Sequence, residues 1–144
     1  MDVKQIDTSS PFYLQALSLR DAILRKPLNL SIYEENLSLE KLEIHFVLTQ
    51  EKKVLGTVSL VPIYRENKGK LRQMATHETI RGMGFGKLLV KKLEEYAMNH
   101  SIHLIRLHAR YHAIGFYKKI GYKIVSKPFD EVGIPHVAME KALI

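Results

Sequence analysis

The chain has 144 residues, which suits one folded domain, and 46% of its residues are hydrophobic, which excludes a disordered chain. It contains no cysteine, so disulfides, thiolate metal sites and cysteine nucleophiles are excluded. Its formal net charge is +7, but the basic residues form no run of four or more. This positive charge would suit a phosphate-bearing small molecule equally well, and a nucleic-acid-binding arm is the weaker interpretation.

The first residues do not form a basic start followed by a long apolar run, as a signal peptide would. No apolar stretch approaches the roughly 20 residues that a membrane-spanning helix needs. We therefore expect a cytoplasmic protein with no membrane partner, folded as a single domain over residues 1–144.

The first part of the chain predicts a strand and a helix. Residues 3–7 have the pattern of a short strand, and residues 9–11 (Ser-Ser-Pro) are a helix start with a serine cap and an early proline. Apolar residues then recur at helical spacing, and the helix must end before Pro27, which cannot continue it. Residues 28–42 have no clear pattern beyond one helical turn over residues 38–42.

Three strands are predicted next, without a helix between them. Residues 43–49 and 54–62 are apolar and rich in β-branched side chains, and the short polar loop between them predicts a β-hairpin. Pro62 is the expected end of the second strand. Residues 67–69 predict a turn, and residues 70–76 predict the third strand.

An amphipathic helix is predicted after Gly86. Apolar side chains fall on one face and charged side chains, Glu94 among them, fall on the other, until the pattern ends near His100. Residues 102–109 then alternate as a strand does.

The last part of the chain predicts a short helix and two strands. Residues 111–120 have a helical pattern that Gly121 ends. Residues 122–125 begin a strand, residues 129–133 predict a loop, and residues 136–142 predict the last strand. The predicted order of elements describes one α/β domain in which helices interrupt a sheet of mixed direction.

Three glycines at alternating positions, Gly82, Gly84 and Gly86, stand where the amphipathic helix begins. Glycine allows positive φ and close approach of a ligand. A helix N-terminus offers unpaired N–H groups and a partial positive charge. Together they predict an anion site, most naturally for phosphate.

Two common glycine-rich loops do not match this stretch. The ATP/GTP loop, G-x-x-x-x-G-K-[ST], would need glycine at Arg81 and a hydroxyl at Leu88. The dinucleotide fingerprint, G-x-G-x-x-G, would need glycine at Lys87 and a parallel βαβ unit around it. A third pattern, R/Q-x-x-G-x-G/A, is satisfied by residues 81–86.

This third pattern resembles the acetyl-CoA loop of the GNAT (Gcn5-related) N-acetyltransferase superfamily. Residues 113–122 (A-I-G-F-Y-K-K-I-G-Y) are also similar to the A-x-x-F-Y-x-K-x-G-F motif of that family, and the order of elements matches it. Residues 133–139 resemble the ending of a small, bacterial, single-domain branch. The resemblance implies a mixed, mostly antiparallel central sheet with helices on both faces and a splayed V between residues 70–76 and 102–109.

The resemblance implies acetyl-CoA as cosubstrate, with its pyrophosphate on the glycine loop and its pantetheine arm along the preceding strand. The implied cofactor-binding residues are Met74, Ala75, Thr76, Arg81, Gly82, Met83, Gly84, Phe85, Gly86, Lys87, Arg110 and Tyr117. The resemblance also implies a bulge in this strand that frees backbone N–H groups, one of which, on Met74 or Ala75, would polarise the thioester carbonyl. Two positions depart from the family: Thr76 replaces an apolar residue, and Arg110 stands where asparagine is common.

The resemblance assigns Tyr117 as the acid that protonates the departing thiolate, which suits a phenol pKa near 10. The strand glutamate that some members use as base is replaced here by Ile105. Glu78 and His108 are the preferred candidates for the base, because they follow or end the two slot-forming strands. The other candidates are His77, His112 and His136, with water as an equal alternative. The seven histidines show no metal-ligand spacing, so we expect no metal.

The sequence thus predicts an enzyme that transfers acetyl from acetyl-CoA to a primary amine by direct attack in a ternary complex. The acceptor is expected to be a small-molecule or peptide amine, held by residues 20–42 and 126–136. A non-catalytic CoA-binding sensor or interaction module on the same fold is the alternative. A nucleic-acid binder ranks last, so no nucleic-acid partner is expected, and a homodimer is left open.

Overall fold

A computed structural model describes all 144 residues of the protein. Its eight strands are β1 (Asp2–Ile6), β2 (Ile44–Gln50), β3 (Lys53–Ile63), β4 (Lys68–Thr76), β5 (Leu104–Arg110), β6 (Lys123–Ile124), β7 (Phe129–Glu131) and β8 (Ile134–Ala142). Its α-helices are α1 (Pro11–Arg20), α2 (Phe85–Asn99) and α3 (Ile114–Lys119). None of these helices combines the length and the apolar character that crossing a membrane requires.

The strands form one sheet in the order β1-β2-β3-β4-β5-β8-β6, and β7 also pairs with β8. Every neighbouring pair is antiparallel except β4 and β5, which run parallel. The parallel pairing covers only residues 68–70 against residues 104–106, and beyond them the two strands separate. This confirms the mixed, mostly antiparallel sheet with a V between β4 and β5.

Helices cover both faces of the sheet. On one face, called the α1 face, Ala16 and Leu19 of α1 pack against Val47, Val54 and Ala75. On the other, called the α2 face, α2 and α3 close a larger core. The buried members of that core include Leu48, Leu60, Leu89, Leu93, Leu107 and Tyr117. Each fully buried leucine contributes about 1.5–3 kcal/mol to folding, so most of the hydrophobic stabilisation lies on the α2 face.

The alternation of side chains along β5 fixes what reaches each face. Ile105, Leu107 and Ala109 belong to the core of the α2 face. Because successive side chains of a strand point to opposite faces, His108 and Arg110 project towards the α1 face. This placement decides on which side of the V each of them acts.

The start of α1 agrees with the prediction. The Ser10 side chain accepts a hydrogen bond from the N–H group of Phe12, and Pro11 is the first helical residue. The helix continues as one π-helical turn, Asp21–Arg25, and a 3-10 turn, Lys26–Leu28, that contains Pro27. These two turns run along the open side of the V.

A buried group of charged side chains ties residues 40–45 to α1. The Arg20 guanidinium bonds both carboxylate oxygens of Glu40 at 2.7 and 3.1 Å, and the Tyr13 hydroxyl donates to the same carboxylate. Glu40 begins the predicted single helical turn, which is a 3-10 turn over Glu40–Leu42. Glu43 lies beside this pair, and its Oε1 atom is buried without a partner. The pKa of Glu43 is raised to about 7, mainly by burial and secondly by the negative charge of the neighbouring Glu40 carboxylate.

The turn predicted over residues 67–69 is wrong, because β4 already begins at Lys68. The chain turns over residues 64–67, where the 3-10 turn Tyr64–Glu66 is followed by Asn67, which has φ of +55°. Gly69 lies inside the strand because a Cβ atom there would be 2.7 Å from Cδ1 of Leu60. Here glycine marks close packing between elements and not a turn.

Three further predictions are corrected by contacts between distant segments. Residues 129–133 are not a loop: β7 pairs with β8 through a two-residue turn, Val132–Gly133, in which both φ angles are positive. The strand at residues 122–125 is only Lys123–Ile124. Glu94 is not on the solvated face of α2 but is buried, where it accepts hydrogen bonds from the Tyr122 hydroxyl and the Lys141 ammonium.

Candidate active site

The V between β4 and β5 holds a cavity of about 1190 Å³. Its walls are the open edge of β4, the glycine loop with the start of α2, the helix α3, residues 22–27 and the end of β7. Of the predicted cofactor-binding residues and the two preferred bases, only Met83 does not line it. Those that do are Met74, Ala75, Thr76, Glu78, Arg81, Gly82, Gly84, Phe85, Gly86, Lys87, His108, Arg110 and Tyr117. The fold therefore gathers residues from separate segments of the chain, β5 among them, around one cavity.

A β-bulge opens the V at its centre. Thr57 pairs with Ala75 and Ser59 pairs with Arg72, so two residues of β4 stand opposite Val58 alone. The first of the two, Gln73, has φ of +57°. Bulges bend the strand that carries them and leave backbone groups unpaired. The bulge lies directly before Met74 and Ala75, where the sequence predicts one.

The glycine loop presents a row of unused backbone donors. The N–H groups of residues 82–87 donate no hydrogen bond within the chain. Gly82 and Gly84 have φ of +77° and +85°, and a Cβ atom on either would point into open space. The Arg81 guanidinium donates to the carbonyl oxygen of Thr76 at 3.1 Å and fixes the loop to the end of β4. Free donors at a helix N-terminus form an anion site.

Gly86 is required for a different reason. It lies in the first turn of α2, and a Cβ atom there would be 3.2 Å from the Phe116 ring and 3.3 Å from the Met74 side chain. The missing side chain lets α2 approach α3 and β4 closely, and it sets the width of the V at this end.

Tyr117 lies on α3, on the α2 face, and is 5% exposed. Its ring packs edge-on against Phe116 and Tyr122, and its hydroxyl makes no hydrogen bond within the chain. Burial raises the pKa of this phenol well above its usual value, so the hydroxyl keeps its proton at neutral pH. A protonated hydroxyl without an internal partner, lining a cavity, can donate a hydrogen bond to a ligand there.

His108 and Glu131 form a hydrogen-bonded pair on the opposite side of the cavity. The Nδ1 atom of His108 lies 2.7 Å from Oε2 of Glu131, and Phe129 packs edge-on against the imidazole at 4.9 Å. A carboxylate bonded to Nδ1 selects the tautomer with the proton on that nitrogen. The Nε2 atom then carries the lone pair, which is the arrangement of a base.

The other candidate bases have different surroundings. Glu78 lines the cavity, but its side chain is exposed and makes no hydrogen bond. His77 does not line the cavity, because its ring caps the turn over residues 78–80 and accepts from the N–H group of Thr79. His112 and His136 line the cavity, and Nδ1 of His136 bonds the carbonyl oxygen of Ile134. Among the predicted bases, only His108 bonds a carboxylate.

Sequence reasoning missed Glu131 because the segment that carries it is predicted as a loop. Gly133 was the available signal, since a two-residue turn ending in glycine between apolar segments is typical of a hairpin. For Arg25 the sequence leaves two alternatives, a solvated side chain or one that lines the acceptor side, and the structure places it in the cavity wall. It reaches the cavity only because α1 continues into the π-helical turn.

The chain is similar to known proteins over its whole length. Residues 11–122 match the model of the acetyltransferase (GNAT) family. The uncharacterized protein YyaT of Bacillus subtilis is 30% identical, with 99% of this chain and 97% of that protein aligned. A crystal structure from Lactobacillus plantarum, described as an N-acetyltransferase, has a TM-score of 0.85 at 27% identity, with 100% of each chain covered. An aminoglycoside 6'-N-acetyltransferase solved with coenzyme A shares the fold, with a TM-score of 0.77, 19% identity and coverage of 100% and 98%.

Proposed function

The chain belongs to the acetyltransferase (GNAT) family, and from this premise we propose that it transfers the acetyl group of acetyl-CoA to a primary amine. As a member of this family it is an acyltransferase. The amine attacks the thioester directly, in a complex that contains both substrates. One observation carries the proposal: the free N–H groups of residues 82–87 open into the same cavity as Tyr117 and His108.

The residues around the loop suit coenzyme A. The open space beside Gly82 and Gly84 leaves room for a pyrophosphate, which would accept hydrogen bonds from the N–H groups of residues 82–87. The open edge of β4 at residues 74–76 would bind the pantetheine arm through its backbone groups. The structural neighbour solved with coenzyme A supports this substrate, because it has the same fold.

The side chains on the two walls suit the two proton transfers of the reaction. The new C–N bond forms as the C–S bond of the thioester breaks. His108 takes the proton that the amine loses, with Glu131 holding its imidazole in place, and Glu78 is the alternative base. The Tyr117 hydroxyl gives a proton to the departing thiolate. A backbone N–H group of the bulge at residues 73–75 stabilises the negative charge that develops on the carbonyl oxygen.

Two measurements test the proposal together. Calorimetry is expected to show binding of CoA, and a panel of small amines and peptide N-termini is expected to contain acceptors that release free CoA thiol from acetyl-CoA. Initial rates measured against both substrates are expected to give intersecting lines, as a ternary complex requires. Absence of CoA binding would contradict the proposal. Binding without thiol release for any amine would indicate a CoA-binding module.

A further inference from the structure

We propose that the acceptor amine carries an anionic group, a carboxylate or a phosphate, and that Arg110 binds this group. The inference rests on the proposed function, since it names the class of substrate that the same cavity takes.

The cavity has two halves with different chemistry, a cofactor half on the α2 face and an acceptor half on the α1 face. The glycine loop and Tyr117 belong to the α2 face, where the proposed pyrophosphate seat lies. Arg110 projects towards the α1 face, where its guanidinium donates to the carbonyl oxygen of Leu24 at 2.8 Å. Arg25 lies on the same side, next to Leu24 in the chain. The two arginines therefore line the half of the cavity that is left for the acceptor.

Arg110 has no carboxylate partner. Its bond to Leu24 uses one of five N–H donors, and the side chain is half-buried at the cavity wall. Burial, followed by the nearby charge of Arg25, lowers the pKa of Arg110, and the charge of Glu131 acts in the opposite direction. None of the Arg110 nitrogens is buried without a partner, so the remaining donors are open to the cavity, where an anionic ligand would accept hydrogen bonds from them. This role differs from the cofactor contact that the sequence predicts for Arg110.

Arg25 is neutralised within the chain. Its side chain is 8% exposed and pairs with Glu35 through two of its nitrogens, and the third donates to the carbonyl oxygen of Leu24. One of its terminal nitrogens lies 3.5 Å from the amide oxygen of Gln73 at the bulge. Arg25 thus connects the acceptor half of the cavity to the point where β4 bends.

The rest of this half adds positive charge. Lys70 makes no ion pair, and Arg72 is paired at 3.4 Å with Glu43, whose pKa of about 7 leaves it partly neutral at neutral pH. Glu78 and Glu131 are the only carboxylates that line the cavity, and Glu131 already bonds His108. An acceptor with two or more positive charges would be repelled here.

A bifunctional acceptor fits this distribution of charge. Its anionic group would accept charge-assisted hydrogen bonds from the planar guanidinium group of Arg110. Its amine would lie near His108 and Glu131, which suit a positive or proton-losing group. Recognition of the anionic group thus orients the amine towards the base.

The test compares amines of one chain length and different charge in the thiol-release assay. We expect kcat/KM to fall in the order 4-aminobutyrate, butylamine, 1,4-diaminobutane, with roughly a tenfold step or more from the first to the second, as one charge-assisted hydrogen bond provides. O-phosphoethanolamine against ethanolamine distinguishes phosphate from carboxylate recognition. Arg110→Gln is expected to reduce the ratio of kcat/KM for 4-aminobutyrate to kcat/KM for butylamine, and Arg110→Lys is expected to retain part of this ratio. Arg65→Gln is the control, because Arg65 lies in an exposed turn outside the cavity, and it is expected to leave the ratio unchanged.

Binding provides a second readout that does not need turnover. In the presence of CoA, 4-aminobutyrate or O-phosphoethanolamine is expected to raise the melting temperature more than 1,4-diaminobutane does, and Arg110→Gln removes this difference. Turnover that favours the diamine, or anion selectivity that persists in Arg110→Gln, overturns the inference. If no amine is turned over, the proposed function fails. The thermal shifts then decide the inference, because equal or larger stabilisation by the diamine overturns it.

Discussion

The imidazole of His108 and the carboxylate of Glu131 meet at 2.7 Å across β8, which separates the strands β5 and β7 that carry them. Twenty-three positions separate the two residues in the chain. Only the short hairpin of β7 and β8 brings the carboxylate to the cavity, so the pair depends on a feature that the sequence does not predict. If His108 is the base, its function depends on this partner.

We expect Glu131→Gln to lower kcat by roughly 10- to 100-fold, because a neutral amide no longer stabilises the imidazolium that forms when His108 takes a proton. The change keeps the size of the side chain, so CoA affinity measured by calorimetry is expected to stay the same. Steady-state kinetics in the thiol-release assay measure the change in kcat.

Asp130→Asn is the matched control for this prediction. It removes one carboxylate from the neighbouring exposed position, which does not line the cavity. Equal turnover by both variants would exclude a role for Glu131 and direct attention to Glu78 or to a water molecule.

Tyr117→Phe is expected to lower kcat by roughly 100-fold or more while the CoA dissociation constant changes little, since a general acid contributes about 10²–10⁴ to rate. The hydroxyl has no partner within the chain, so its removal breaks no internal hydrogen bond. Steady-state kinetics and calorimetry on the same preparation separate the two effects.

Tyr122→Phe distinguishes catalysis from packing. Its hydroxyl donates to Glu94 at 2.8 Å, so this variant should lose about 1.5–3 kcal/mol of unfolding free energy and keep its turnover. If Tyr117→Phe turned over acetyl-CoA as fast as the unchanged protein, Tyr117 would have no part in the proton transfer.

The order and type of the elements could be predicted from the sequence because strand and helix periodicities are local. The cap at Ser10 and the proline at the first helical position follow from the chemistry of serine and proline alone. The burial of Glu94 could not be predicted, because its partners Tyr122 and Lys141 lie 28 and 47 residues away. Gly69 misled the prediction for a similar reason, since the neighbour that it accommodates, Leu60, lies on another strand.

The candidate site was predicted unevenly. The glycine loop and the Phe116–Tyr117 motif are contiguous, so the residues of the cofactor half could be predicted from their motifs. The acceptor half is assembled from single residues on different elements, among them Arg25, Arg72, Arg110 and Glu131. No contiguous sequence motif contains these residues, because only the bend after α1 and the hairpin of β7 and β8 bring them together.

Gly84→Val is expected to abolish the rise in melting temperature that CoA produces. Valine at a φ of +85° is strained by about 1–2 kcal/mol or more, and its side chain would fill the open space in front of the free N–H groups. Gly115→Val is the control, because Gly115 has ordinary helical geometry, open surroundings and no place in the cavity wall. A CoA-dependent shift that survives in Gly84→Val would contradict the assignment of the loop.

Glu43→Gln is expected to stabilise the protein above neutral pH. The folded-state pKa of Glu43, about 7, exceeds the ordinary glutamate value, so the folded protein binds this proton more tightly than the unfolded chain does. Stability therefore falls as pH rises from about 4.5 to about 7, and the loss is complete above this range. Glutamine removes the cost of ionising a buried carboxyl but also loses the contact with Arg72. The net gain in the free energy of unfolding is about 1–2 kcal/mol at pH 8, and it is small at pH 5.

Urea unfolding of both proteins between pH 5 and pH 8 measures this difference, and Glu40→Gln is its counterpart with the opposite sign. Burial opposes ionisation of Glu40, but the hydrogen bonds and charge of Arg20 outweigh it and hold the pKa of Glu40 below the usual value. Glu40→Gln should therefore cost about 3–5 kcal/mol at pH 8, because Arg20 loses its buried partner, and the cost should shrink as pH falls below about 4.5. If both variants lowered stability with the same pH dependence, Glu43 would be an ordinary ion-pair partner of Arg72 and not a carboxyl held near neutrality.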